Sequence, residues 1–210
     1  MKRINFLITL TVGILLANLA IGQTIVGSAH DFSSQTWNTT GEICIVCHTP
    51  HNADISIAEA PLWNHEMTSA TFSLYSSSTF NGSATIGQPD GNSKLCLSCH
   101  DGTVALENFS GNTGGTHFLV DGDPNYVGTD LADDHPTSFD YNTALSVADP
   151  GLFDPSTTQS GLGGTIATTM LFAGKMQCAS CHDVHNGAGV DHLLLKSNSA
   201  SALCLTCHNK

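Results

Sequence analysis

Eight cysteines and four histidines of this chain fall into one pentapeptide pattern, at Cys44-Ile-Val-Cys47-His48, Cys96-Leu-Ser-Cys99-His100, Cys178-Ala-Ser-Cys181-His182 and Cys204-Leu-Thr-Cys207-His208. In Cys-x-x-Cys-His, two thiols can form thioether bonds to a porphyrin edge while the next imidazole binds the iron from one face. Every cysteine is used, so the spacing implies four covalently bound haem c groups with His48, His100, His182 and His208 as proximal iron ligands. Disulfides, zinc ribbons and redox dithiols also use paired cysteines. None of them requires a histidine after the second cysteine, and here it follows four times out of four.

Seven histidines remain: His30, His51, His65, His117, His135, His185 and His192. Four are needed if every iron is six-coordinate, so bis-histidine ligation is the economical assignment. Methionine would raise the potential, and Met67, Met170 and Met176 are its candidates after the N-terminal segment. His51 and His185 each stand three residues beyond a proximal histidine, where the chain has left one haem and can reach its neighbour. His30 and His135 precede the first motif of their halves, each with an aromatic close by, Phe32 and Phe139. These four are the expected distal ligands, with His65 in Pro61-Leu-Trp-Asn-His65 the second choice and His117 and His192 read as solvated. Asp31, Asp134 and Asp183 are placed to orient ligand imidazoles, and ordinary exposed carboxylates account for them equally well.

The elements that must carry these turns are sparsely encoded. Aromatic residues make up 7 % of the chain, while Gly, Ser, Thr, Asn and Asp abound. Such a composition has little hydrocarbon for a large core, and four porphyrins would supply apolar surface through covalent anchors. The expected fold is mostly irregular and loop-rich, with short α-helices at the haem motifs, because one helical turn brings both thiols and the imidazole to one face. Pro50 should end the first of these helices, and short strands are expected over 116–120 and 165–172. The phrase Cys44-Ile-Val-Cys-His-Thr-Pro-His51-Asn52 returns as Cys178-Ala-Ser-Cys-His-Asp-Val-His185-Asn186, each copy followed by a second motif. This predicts one tetrahaem domain over 23–210, with dihaem modules at about 28–110 and 178–210 and a loop-rich connection over about 111–177.

Met1-Lys2-Arg3 followed by an apolar run from Ile4 to Ala20 reads as a secretory signal over residues 1–22, with the mature chain starting near Gln23. The run is near the lower limit for a bilayer span, so a retained anchor is the competing reading. Losing Lys2 and Arg3 leaves 4 basic against 18 acidic residues, a net charge of −14. Nucleic acid and anionic membranes are poor partners for such a surface, and cationic partners or metal ions and oxides are better ones. Asn38, Asn81 and Asn108 fit the glycosylation sequon, which a chain rich in Ser and Thr produces often by accident.

The motifs together with Pro61-Leu-Trp-Asn, Leu95-Cys-Leu-Ser-Cys-His-Asp-Gly-Thr103 and His135-Pro-Thr-Ser-Phe139 resemble the multihaem cytochromes with doubled CXXCH motifs. Within that group the chain is most similar to the OmcE-type tetrahaem, filament-forming outer-surface cytochromes of metal-reducing bacteria. The resemblance implies bis-histidine haems in a continuous stack and subunits polymerised into an extracellular electron-conducting filament. It also implies an upstream cytochrome donor, an extracellular or metal acceptor, and one axial histidine shared between subunits, for which His30 is the choice. The expected role is electron transfer without catalytic residues. The rivals are a soluble periplasmic shuttle and a multihaem reductase with an open iron.

Overall fold

The computed structural model describes residues 25–57 and 60–209, so the expected signal over 1–22 and the start near Gln23 lie outside the described residues. Most of the described chain is loop. Among the described residues there are four short α-helices, α1 (Gly91–His100), α2 (Thr143–Ala148), α3 (Ile166–Thr169) and α4 (Cys204–Cys207), with five 3-10 turns and one antiparallel pair, β1 (Phe139–Asp140) and β2 (Lys175–Met176).

Helices do form at the motifs, as α1, α4 and the 3-10 turns Cys44–Val46 and Cys178–Ser180. Pro50 is not what stops the first one. The Cys178–Ser180 turn has the same length with Val184 in the equivalent place. In both copies the chain is pulled straight by an antiparallel bridge at the proximal histidine, His48 to Trp63 and His182 to Leu194.

The two expected strands do not form. Thr116 and His117 give their backbone N–H groups to the Glu107 carboxylate, at 2.6 and 3.1 Å, which removes the donors a neighbouring strand would have used. Residues 165–172 instead contain α3. The Thr165 carbonyl accepts from the Thr169 hydroxyl at 2.8 Å, and Ile166 and Met170, four positions apart, are both buried. That spacing places them on one helical face.

This connection also supplies the larger hydrophobic cluster. Phe139, Tyr141, Leu145, Ile166, Met170 and Met176 pack with Leu203 and Cys207, and Cys181 lies at the edge. A smaller cluster of Ala60, Trp63 and Leu95, with Cys47 and Met67 against it, lies under the first two motifs. Two of the sequon asparagines, Asn38 and Asn108, are buried. They act as structural ties, Asn38 to the carbonyls of Phe32 and Glu42 and Asn108 to the Glu66 carboxylate.

Helix α1 is held at its C-terminus by Asp101, which is 2 % exposed. Its carboxylate accepts from the Thr68 hydroxyl at 2.6 Å and the Thr103 N–H at 2.7 Å. Gly102 follows with φ +72°, and a Cβ there would lie 2.5 Å from the Leu119 carbonyl oxygen and 2.6 Å from the Tyr126 ring. Gly111 has a similar φ of +81°, with nothing within 4 Å of its would-be Cβ. Both alanine substitutions therefore incur left-handed strain of about 1–3 kcal/mol, and only Gly102→Ala adds a collision with backbone. In thermal denaturation of the haem-loaded protein, Gly102→Ala is expected to lower the midpoint clearly more than Gly111→Ala; equal effects would refute the close packing at Gly102.

Candidate haem centres

Each motif is folded as one turn. The backbone N–H of His48, His182 and His208 donates to the carbonyl of the first cysteine of its motif, at 2.8, 3.1 and 3.0 Å, and the second motif is the last turn and a half of α1. Five residues in such a turn present two sulfurs and an imidazole to one side.

An imidazole ligates a metal through one nitrogen, and what the other nitrogen bonds fixes the tautomer and the ring direction. His48 donates Nδ1–H to the Pro61 carbonyl at 2.9 Å, His100 to Asn125 at 2.7 Å and His182 to His192 at 2.9 Å. In each of these rings Nε2 is left to a metal. The groups that orient these three rings are thus backbone carbonyls. Asp31 spends its carboxylate on the Gly27 and Ser33 N–H groups. Asp183 accepts from the N–H of His185 and Gly187 and stands 3.8 Å from the His185 ring nitrogen. The Asp134 carboxyl is raised by burial and by neighbouring Asp133 and Asp130.

The internal repeat runs deeper than the letters show. In the first half Thr49 N–H donates to Leu62 O and Asn64 N–H to Cys47 O, both at 3.0 Å. In the second half Asp183 N–H donates to Leu193 O at 2.7 Å and Leu195 N–H to Cys181 O at 2.9 Å. Residues 61–64 and 192–195 are therefore equivalent, and Leu62 and Leu193 share a positive φ of 60° and 54°. His192 contributes its carbonyl, in the place of Pro61, which explains a histidine that has no counterpart in the first copy.

Three histidine rings from outside the motifs meet a motif histidine. Ring centroids are 6.1 Å apart for His30 and His100, 6.3 Å for His48 and His185, and 6.4 Å for His135 and His208, with interplanar angles of 89°, 16° and 79°. Two histidines that held one metal ion between them, each through a bond of about 2 Å, would have ring centres about 6 Å apart along the line joining them. Rotation about that axis leaves the interplanar angle free. Edge-to-face aromatic contacts span similar distances, so the informative point is the membership of the pairs: each joins one motif to one histidine outside it. His30 carries a further mark. Burial, then the neighbouring imidazoles of His100, His185 and His182, lowers its ring to about 4, and its Nδ1 is a buried atom with no partner in the described structure. A neutral imidazole with an unsatisfied nitrogen suits a metal ligand.

The remaining expected ligands are placed differently. His51 lies on an exposed turn beyond the first motif. His65 is 4 % exposed, with Nδ1 2.8 Å from the Glu66 carbonyl and Nε2 3.6 Å from Cys99 Sγ. His182 has no ring pair of this kind among the described residues. His117, half-exposed, donates Nδ1–H to Glu107 Oε1 at 2.7 Å.

All eight cysteines are unpaired, and burial pushes the Cys47 and Cys207 thiols up to about 11, with Cys44 and Cys181 respectively adding to it. No group of three or more His, Cys, Asp or Glu side chains converges as for a zinc ion among the described residues. Beside the motifs Leu62, Val184 and Leu205 present exposed hydrocarbon, the kind of surface a porphyrin face would cover. Consecutive motifs are neighbours in space. Cys47 packs on the cluster holding Leu95 of α1, Cys178 N–H donates to Ser93 Oγ of the same helix at 3.0 Å, and Cys181 borders the cluster holding Cys207.

Residues 171–210 match the family model for the doubled CXXCH motif. None of the curated proteins matches the chain. The family match supports a multihaem c-type cytochrome, a class whose CXXCH motifs hold covalently bound c-type haem and whose work is electron transfer. Attachment of such haem takes place outside the cytoplasm. No helix among the described residues is long and apolar enough to cross a membrane.

The Glu107 clasp around His117 has its own pH signature. Burial pushes the Glu107 carboxyl up, but hydrogen bonds from Thr116 N–H, the His117 ring and the backbone N–H groups of Glu107 and His117 outweigh it and hold the group at about 2, against 4.5 ordinarily. A depressed carboxyl stabilises the fold fully above its unfolded value and loses that contribution as pH falls through its folded value. The stability gap between the wild type and Glu107→Gln should therefore be constant above about 4.5 and close progressively towards about 2. Denaturation midpoints of the two haem-loaded proteins across that range check this, and a gap independent of pH would refute the clasp.

Proposed function

We propose that this protein is a secreted tetrahaem electron carrier in which both axial positions of every iron are filled by histidine. The observation that carries this reading is the set of three imidazole pairs at 6.1–6.4 Å, each joining a motif histidine to one outside the motifs. Bound at the eight cysteines, iron porphyrins supply one-electron redox chemistry. The chain's own work is to hold ring edges close, fill the axial positions and tune potential through ligand type, burial and hydrogen bonding. With His48, His100 and His208 as proximal ligands, His185, His30 and His135 are the matching distal ones. His51 is assigned to His182, because the repeat makes it the counterpart of His185. The His30–His100 pair within one chain supports an intramolecular role for His30, in place of the shared role that the resemblance suggests.

Filled axial positions leave no iron open to a substrate, so the protein is a carrier and not an enzyme. The spatial succession of the motifs from first to fourth supports a continuous path for electrons through the protein. Resemblance to the OmcE-type cytochromes supports polymerisation into an extracellular filament, with an upstream cytochrome as donor and an extracellular or metal acceptor. The acidic composition suits metal ions and oxides better than nucleic acid.

Electron paramagnetic resonance of the oxidised, purified protein tests the ligand set. All four irons should be low-spin in the wild type, and His185→Ala should turn one of the four high-spin while leaving the haem count unchanged. A pale protein with titratable thiols, or a high-spin iron already present in the wild type, would overturn the reading. Electron micrographs of material sheared from cells should show filaments; dispersed particles alone would leave a soluble shuttle.

A further inference from the structure

We infer that Gln177 is a positioning residue that sets the spacing between the second and third haem attachment turns, and so controls electronic contact between the two halves of the protein. This rests on the electron-carrier reading above. Gln177 is 3 % exposed and immediately precedes Cys178. Its side chain is engaged at both ends. Oε1 accepts the Ser93 N–H at 3.1 Å and the Ser138 hydroxyl at 3.3 Å, while Nε2 donates to Asp90 Oδ1 at 2.8 Å. Ser93 closes the ring by accepting the Cys178 N–H at 3.0 Å.

The bonds to Ser93 and Asp90 join segments more than 80 residues apart in the chain. Ser93 and Cys96 lie three positions apart on α1, so the amide that opens the third motif is bonded within one helical turn of the first sulfur of the second motif. Around this centre, Lys175 holds the other oxygen of Asp90, the Asp90 N–H donates to Ser138 Oγ at 3.1 Å, and the Gln177 N–H donates to Ser180 Oγ at 2.9 Å inside the third turn. The contact between α1 and the Cys178–Ser180 turn is therefore polar, buried and satisfied on both sides.

Apolar contacts tolerate sliding, whereas a buried amide with donors and acceptors on opposite ends satisfies them in one arrangement and leaves costly unpaired groups in any other. That difference is why a polar latch belongs where a distance has to be held. Elsewhere neighbouring motifs meet through hydrocarbon, Cys47 against Trp63 and Leu95 and Cys181 against the Cys207 cluster.

The test is circular dichroism in the Soret region of the fully reduced, haem-loaded protein, where neighbouring porphyrins give a couplet sensitive to their separation and angle. In Gln177→Leu the haem count and low-spin signals should match the wild type while the couplet loses amplitude. A lowered melting temperature with an unchanged couplet would mean that Gln177 only stabilises the fold, and would overturn the inference. Should Gln177→Leu fail to mature, Ser93→Ala decides, since it removes only the acceptor for the Cys178 N–H. A wild-type couplet in that variant overturns the inference, and a diminished one supports it. Absence of haem from the wild type would sink the carrier reading itself, a result distinguishable from either variant outcome.

Discussion

What one nitrogen of an imidazole bonds sets the direction in which the other faces, and for three of the motif histidines that partner is a backbone carbonyl. His48, His100 and His182 each donate Nδ1–H to a carbonyl 10 to 25 residues away in sequence. That bond leaves Nε2 as the nitrogen open to another partner. Much of the surrounding structure can be understood as what is required to deliver those three carbonyls. The Leu62 and Leu193 backbones take left-handed conformations beside the carbonyls of Pro61 and His192. The loop carrying Asn125 is laid against the end of α1, with the Val127 and Gly128 N–H groups donating to the His100 carbonyl at 2.8 and 3.1 Å.

A second constraint is scarcity of hydrocarbon. With few large apolar side chains, the chain builds two small clusters and places cysteines of the haem motifs against both. The intervening connection is not a passive cover. It forms the greater part of the larger cluster, and its two-residue strand pair brings Gln177 and Cys178 to the flank of α1. Buried polar side chains complete what hydrocarbon does not, as at Asp101 and Gln177. Such networks specify one arrangement more strictly than they stabilise it.

How much of this was legible depended on where the information resides. The four turns could be read because thioether and iron chemistry need particular residue types at fixed short spacing, and a sparse, irregular fold followed from composition. The expected strands at 116–120 and 165–172 failed for a local reason: Glu107 captured the N–H groups of one, and α3 formed in the other once Ile166 and Met170 found a common face. The carboxylates of Asp31 and Asp183 looked suited to orienting histidines, yet nearby backbone N–H groups claimed them first. His192 had no visible purpose because its contribution is a carbonyl.

Sequence alone therefore determined the four Cys-x-x-Cys-His motifs and the pool of histidines outside them, since each depends on side-chain type and near-neighbour spacing. Tertiary structure alone decided which histidine meets which, with His30 beside His100, His185 beside His48 and His135 beside His208. It also decided which carbonyl steadies each ring and how the second motif is latched to the third. Every residue carries a carbonyl, and a pairing across the chain is made by the folded path, so neither leaves a mark in the order of the letters.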